Sequence, residues 1–135
     1  MTNTKNLLLV LFGMSLTIMM SCSKPVEKKI PGTWKVDDVA YVDASSQFDL
    51  DALKATADQQ KTLKFILKKN DSMEVLTGFS TFKGKWFYNK ELKTVSIVYE
   101  GSPDTLLMGI WSDGKIINEE KSTAITIKTT FVKEK

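Results

Sequence analysis

The sequence predicts an all-β, mainly antiparallel domain: a small eight-stranded up-and-down barrel with one short helix between the first and second strands. Three observations carry that expectation. From Gly32 onward, apolar residues alternate with polar ones at a period of two, as expected of strands that bury one face. Turn residues recur at short, regular intervals between the alternating runs, as in Asn70-Asp71-Ser72, Gly101-Ser102-Pro103-Asp104 and Asp113-Gly114, a spacing typical of antiparallel meanders. The segment LDALKATADQQ, after Phe48-Asp49, is rich in helix formers instead. A barrel or a sandwich would fit this pattern. Closure is favoured, because long alternating strands left open would expose their edges.

The chain opens with Met1-Thr2-Asn3-Thr4-Lys5-Asn6 and an apolar run from Leu7 to Met20. Fourteen residues of helix reach only about 21 Å, short of a bilayer core of about 30 Å. The run therefore reads as the core of a signal peptide over residues 1–21. It ends in Met19-Met20-Ser21-Cys22, which resembles the lipobox of bacterial lipoproteins. The resemblance implies cleavage before Cys22, with diacylglycerol on the sulfur and an acyl group such as palmitate on the new amino terminus. Several acyl chains on one residue would hold the chain stably at a membrane. Residues 22–31, with two prolines and no apolar periodicity, read as a lipidated, extended tether. Ser23 directly after the cysteine is compatible with outer-membrane sorting. No acidic cluster follows it, which favours the periplasmic face over surface exposure.

The elements of the folded domain, residues 32–135, follow in order. TWKVDDVAYV supplies the first strand. Asp49 is placed to cap the helix that follows, with Leu50, Leu53 and Ala57 as a narrow apolar stripe. That helix either covers a barrel mouth or packs outside. Leu63, Phe65 and Leu67 share one face of the second strand, and Met73, Val75 and Thr77 continue in the third. Phe82, Gly84, Trp86 and Tyr88 form the inward set of the fourth strand, and Val95, Ile97 and Tyr99 that of the fifth. Leu106, Met108 and Ile110 are the inward set expected in the sixth. Asp113-Gly114 is the strongest hairpin signal in the chain. Ile125, Ile127, Thr129 and Phe131 complete the last strand.

Three short motifs sit along this domain: GTWK at 32–35, GKWFY at 84–88 and TTFVK at 129–133. Together they resemble the small lipocalin-like domains of bacterial lipoproteins over residues 32–135. The resemblance implies a lipocalin-like barrel in which Gly32 and Trp34 close the base. Larger lipocalins often lay an arginine across that tryptophan. This chain has no arginine, so a lysine, either Lys128 or Lys133, would have to take that place.

Composition removes whole classes of chemistry. The chain of 135 residues has no histidine, no arginine and one cysteine, with a net charge of +3. Ser-His-Asp and Cys-His nucleophiles, ordinary zinc sites and an internal disulfide framework are all excluded. So weak a net charge also argues against nucleic-acid binding. Asp49 and Asp51 near Asp43 have a spacing that oxygen-ligated Ca2+ could use, but helix capping explains Asp49 better, and no metal is expected. Asp37-Asp38 and Glu119-Glu120 are neighbours in sequence and should point to opposite faces of their strands. The lysines on the strands, such as Lys64, Lys83 and Lys85, read as solvated exterior.

The expected function is therefore non-enzymatic and without a cofactor beyond the lipid on Cys22. Trp86, Tyr88, Tyr99, Met108 and Ile110 are the candidate lining for a small hydrophobic or amphipathic ligand, since barrels of this size can hold one. The same residues could instead fill the core. In that case the chain would act through its surface on an envelope protein partner, as an accessory subunit or inhibitor.

Overall fold

The computed structural model describes residues 23–45 and 47–135; the leader and Cys22 lie outside the described residues. Eight strands form a closed barrel in sequence order: β1 (Gly32–Val42), β2 (Lys64–Leu67), β3 (Ser72–Leu76), β4 (Thr81–Asn89), β5 (Thr94–Tyr99), β6 (Leu106–Ser112), β7 (Lys115–Lys121) and β8 (Thr126–Lys133). Every neighbouring pair is antiparallel, and β8 returns to β1 to complete the circle. Among the described residues two short helices accompany them, α1 (Val26–Lys29) and α2 (Leu50–Gln60).

This up-and-down order gives the barrel two distinct ends. The start of β1 and the β2–β3, β4–β5 and β6–β7 turns lie at one end, the base. The long β1–β2 connection with α2, together with the β3–β4, β5–β6 and β7–β8 turns, lies at the other, the mouth. The Asp113-Gly114 turn has positive φ at both residues, 47° and 81°, and Ser112 pairs with Lys115 across it. That is the geometry of a type I′ hairpin, whose twist matches the flanking strands.

The core fills the lower and middle barrel. Trp34, Leu67, Met73, Val95 and Ile116 are essentially without solvent contact and join Val36, Phe65, Val75, Trp86, Ile97, Met108 and Phe131 in one cluster. Phe65 and Phe131 meet edge to face at 5.4 Å between centroids, a favoured aromatic geometry.

The segment ahead of β1 departs from the expected extended tether. Residues 26–29 form one helical turn, and Ile30 is completely buried in the core cluster. An exposed Ile30 would forgo about 1.5–3 kcal/mol of apolar burial, so the chain folds back to plug the base. The ordered domain thus begins before Gly32.

α2 matches its expected place and cap. Asp49 Oδ1 accepts from the backbone N–H of Asp51 at 2.9 Å and of Ala52 at 3.4 Å, satisfying donors that the helix itself leaves unpaired. Ala57 is buried and Leu53 half-buried, whereas Leu50 projects into solvent. Tyr41 donates its hydroxyl to Leu53 O at 3.0 Å, pinning α2 to the rim of the mouth beside β1.

Candidate functional site

The base is built around Trp34. Its indole N–H donates to Ile30 O at 2.8 Å, and Trp111 meets its ring edge-on at 5.9 Å. Lys133 Nζ lies 5.6 Å from the centre of the same ring and donates to Lys29 O. Lysine thus fills the place over the tryptophan, and of the two candidates it is Lys133. Gly32 makes room for it: a Cβ there would sit 2.6 Å from Lys133 Cε, at a φ of +148° that side chains rarely adopt. Partial burial of the ammonium lowers the Lys133 pKa. This end is a sealed floor.

The five candidate ligand residues do not converge on one cavity. Trp86 and Met108 are buried within the core cluster, and Trp86 donates its N–H to Lys68 O at 2.8 Å. Tyr88 lies near the base, beside a groove of about 700 Å³ between β4 and the segment ahead of β1. Tyr99 stands at the mouth end of β5, where burial raises its phenol pKa.

Ile110 is on the outer wall, 50% exposed, contrary to its expected inward position. The reason is a β-bulge. Val95 pairs with Gly109 while Ser96 pairs with Leu107, so Met108 is an extra residue in β6 and shifts the alternation by one. Gly109 permits the close packing there, since a Cβ would lie 2.7 Å from the backbone of Ile117. A second bulge, at Asp37 between Val36 and Asp38, corrects the expectation for the first acidic pair: Asp37 and Asp38 are both exposed instead of split between faces. Glu119 pairs with Lys128 on the outer face and Glu120 with Ile127 on the inner one, so the second acidic pair is split between faces as expected, with both side chains exposed.

The mouth contrasts with the floor. Phe82 pairs with buried Val75, and Leu106 with buried Ile97, so both belong to the inner face. Yet Phe82 is 51% and Leu106 47% exposed. Phe82 meets Tyr99 edge to face at 6.1 Å. Tyr41 and Ile127, paired across β1 and β8, are half-buried on the same face. The result is a cup, open to solvent, above a filled core. Glu120 pairs with Ile127 on the same inner face and is exposed, so the cup joins apolar side chains to a carboxylate and to the phenol of Tyr99 at the rim. Sequence alternation places Phe82 and Leu106 on the inner face but does not mark them for binding. The available signal was their position at the mouth ends of their strands, where inward side chains meet solvent.

The ladder between β6 and β7 is short. The β6–β7 ladder holds only three register pairs, Ile110↔Ile117, Trp111↔Ile116 and Ser112↔Lys115. Above them Asn118 Nδ2 donates to Leu107 O at 3.0 Å, a side-chain bridge where the ladder has ended.

The molecule is thus an antiparallel eight-stranded barrel with a sealed base and an open mouth. No family model and no curated protein matches the chain. Among solved structures it is similar to the crystal structure of a DUF4847 family protein from Bacteroides vulgatus ATCC 8482. The TM-score is 0.50 at 16% identity, and the alignment covers 82% of this chain and 100% of that one. At that identity the likeness is one of fold.

Proposed function

We propose that this chain is a lipid-anchored cell-envelope protein whose lipocalin-like barrel binds a small hydrophobic or amphipathic molecule at its mouth. The reading is of binding and not catalysis. The observation that carries it is the half exposure of Phe82 and Leu106 on the inner face, beside Tyr99. Apolar side chains left open in a concave rim are what a small ligand would cover, while a hydroxyl offers one oriented polar contact. The ligand would rest in the upper cup, with Trp86 and Met108 as its support. Anchoring is supported by the lipobox-like Ser21-Cys22, and Ser23 favours the outer membrane, facing the periplasm.

Native mass spectrometry of the full chain, extracted from its membrane in mild detergent, tests ligand binding. Retention of a small-molecule mass, or uptake of a fatty-acid probe, is expected for the unaltered protein and is weakened by Phe82→Asp or Leu106→Asp. A barrel that stays empty and takes up no such probe counts against the reading. For the anchor, mass spectrometry of the Cys22 peptide should find the diacylglycerol and acyl groups, and an unmodified cysteine would refute it.

A second reading is supported by the outer wall. Phe87 and Leu107 both pair with Ser96, and each is half exposed, as is Ile110 nearby. Such a strip suits an envelope protein partner for an accessory or inhibitory role. Crosslinking in intact cells from a photoreactive residue at Phe87 should then recover one stoichiometric partner, and recovery of abundant neighbours alone argues against it.

A further inference from the structure

We infer that the base of the barrel is a docking face for an anionic lipid surface, which sets the mouth pointing away from the membrane. The inference rests on the anchored reading above for its geometry, because residue 22 precedes the segment folded onto the base.

Charge is divided along the barrel axis. Outside the strands, among the described residues, the base carries eight lysines against five acidic side chains, while the mouth connections carry two lysines against six. Including the charged residues at the strand ends, the ratio is ten to five at the base and four to six at the mouth. The net charge of the whole chain conceals this division, since the two ends partly cancel. A negatively charged bilayer would attract the first end and repel the second.

The basic end is also shaped for contact. Lys24, Lys28 and Lys69 line the groove of about 700 Å³, together with Trp86, Phe87 and Tyr88. Two carboxylates, Glu27 and Asp71, also line it, and Glu27 is held 2.7 Å from Lys90 Nζ. Leu92, in the β4–β5 turn, is 67% exposed between Glu91 and Lys93 at the same end. An apolar tip among lysines suits the boundary between headgroups and acyl chains. Lipid phosphates would meet the ammonium groups while Leu92 enters the interface. Phe79, fully exposed in the β3–β4 turn, marks the opposite end.

The test uses the full chain reconstituted into vesicles with brominated acyl chains, either neutral phosphatidylcholine or the same lipid with phosphatidylglycerol. Leu92→Trp and Phe79→Trp report the two ends by bromine quenching, each compared with the unaltered protein. Flotation with neutral vesicles reads attachment alone. The expected result is stronger quenching at Leu92→Trp than at Phe79→Trp, in the anionic vesicles only. Salt that shortens the screening length to about 3 Å should abolish the difference, as should Lys24→Glu, Lys28→Glu and Lys69→Glu combined. Should that variant not fold, the salt dependence of the unaltered lysines carries the same test. Equal quenching at the two ends, or a difference that persists in neutral lipid or high salt, overturns docking while attachment stands. Failure to float with neutral vesicles refutes attachment. In that case salt-sensitive binding to anionic vesicles with Leu92→Trp quenched still supports the docking face, and no binding to either refutes both.

Discussion

Glycines decide how closely the strands of this barrel approach. A Cβ at Gly84 would lie 2.1 Å from Val98 O, a backbone atom that cannot swing aside, whereas one at Gly78 meets nothing within 4 Å. Gly84→Ala should therefore cost about 1–3 kcal/mol by overpacking, while Gly78→Ala should stay within about 0.5 kcal/mol. Urea unfolding of both variants checks the contrast. Lys133 makes a residue-scale prediction in pH. Its folded pKa is lowered by burial, so above that value the unfolded chain binds more protons. Stability therefore rises with pH between the lowered pKa and the ordinary lysine value. Lys133→Met should remove that rise and, at neutral pH, the cation–ring contact, worth about 0.5–1 kcal/mol. Urea midpoints measured across alkaline pH for both proteins read the two effects.

At the scale of elements, the alternation and turn chemistry make all eight strands legible in sequence, and Asp49 makes α2 legible. Asp49→Ala should loosen the first turn of α2 by about 1 kcal/mol. Faster amide exchange at Asp51 and Ala52, with little change in the strands, would show it. The bulges were not legible. A period-two count assigns faces correctly only while the register holds, and one extra residue reverses every face beyond it. That is why alternation assigns Met108 to the correct face and misassigns Ile110, two positions on. Ile30 was hidden for a different reason: a single apolar residue between lysines and a proline has no periodicity, so only the shape of the base assigns it to the core. The candidate site was legible to the same extent. Tyr99 and Met108 face inward as alternation demands, but whether an inward residue meets packing or solvent depends on its height in the barrel. No local pattern encodes that height.

For the whole molecule, closure joins side chains from all eight strands into one core together with Ile30. Loss of packing anywhere in it should weaken every strand together. Ile116→Ala should cost about 2–5 kcal/mol, and the transitions followed by tryptophan emission and far-UV circular dichroism should remain coincident. The filled lower half supplies rigidity, and the cup above it keeps apolar surface available at a fixed place. The short β6–β7 ladder gives this cylinder a direction in which to breathe. It behaves as a zip fastened from the floor: three closed teeth below, one Asn118 clasp above, and strand margins on either side that no neighbour occupies. Local opening of this seam should run from the rim downward, read as faster amide exchange above the Asn118 clasp than at the three pairs below it.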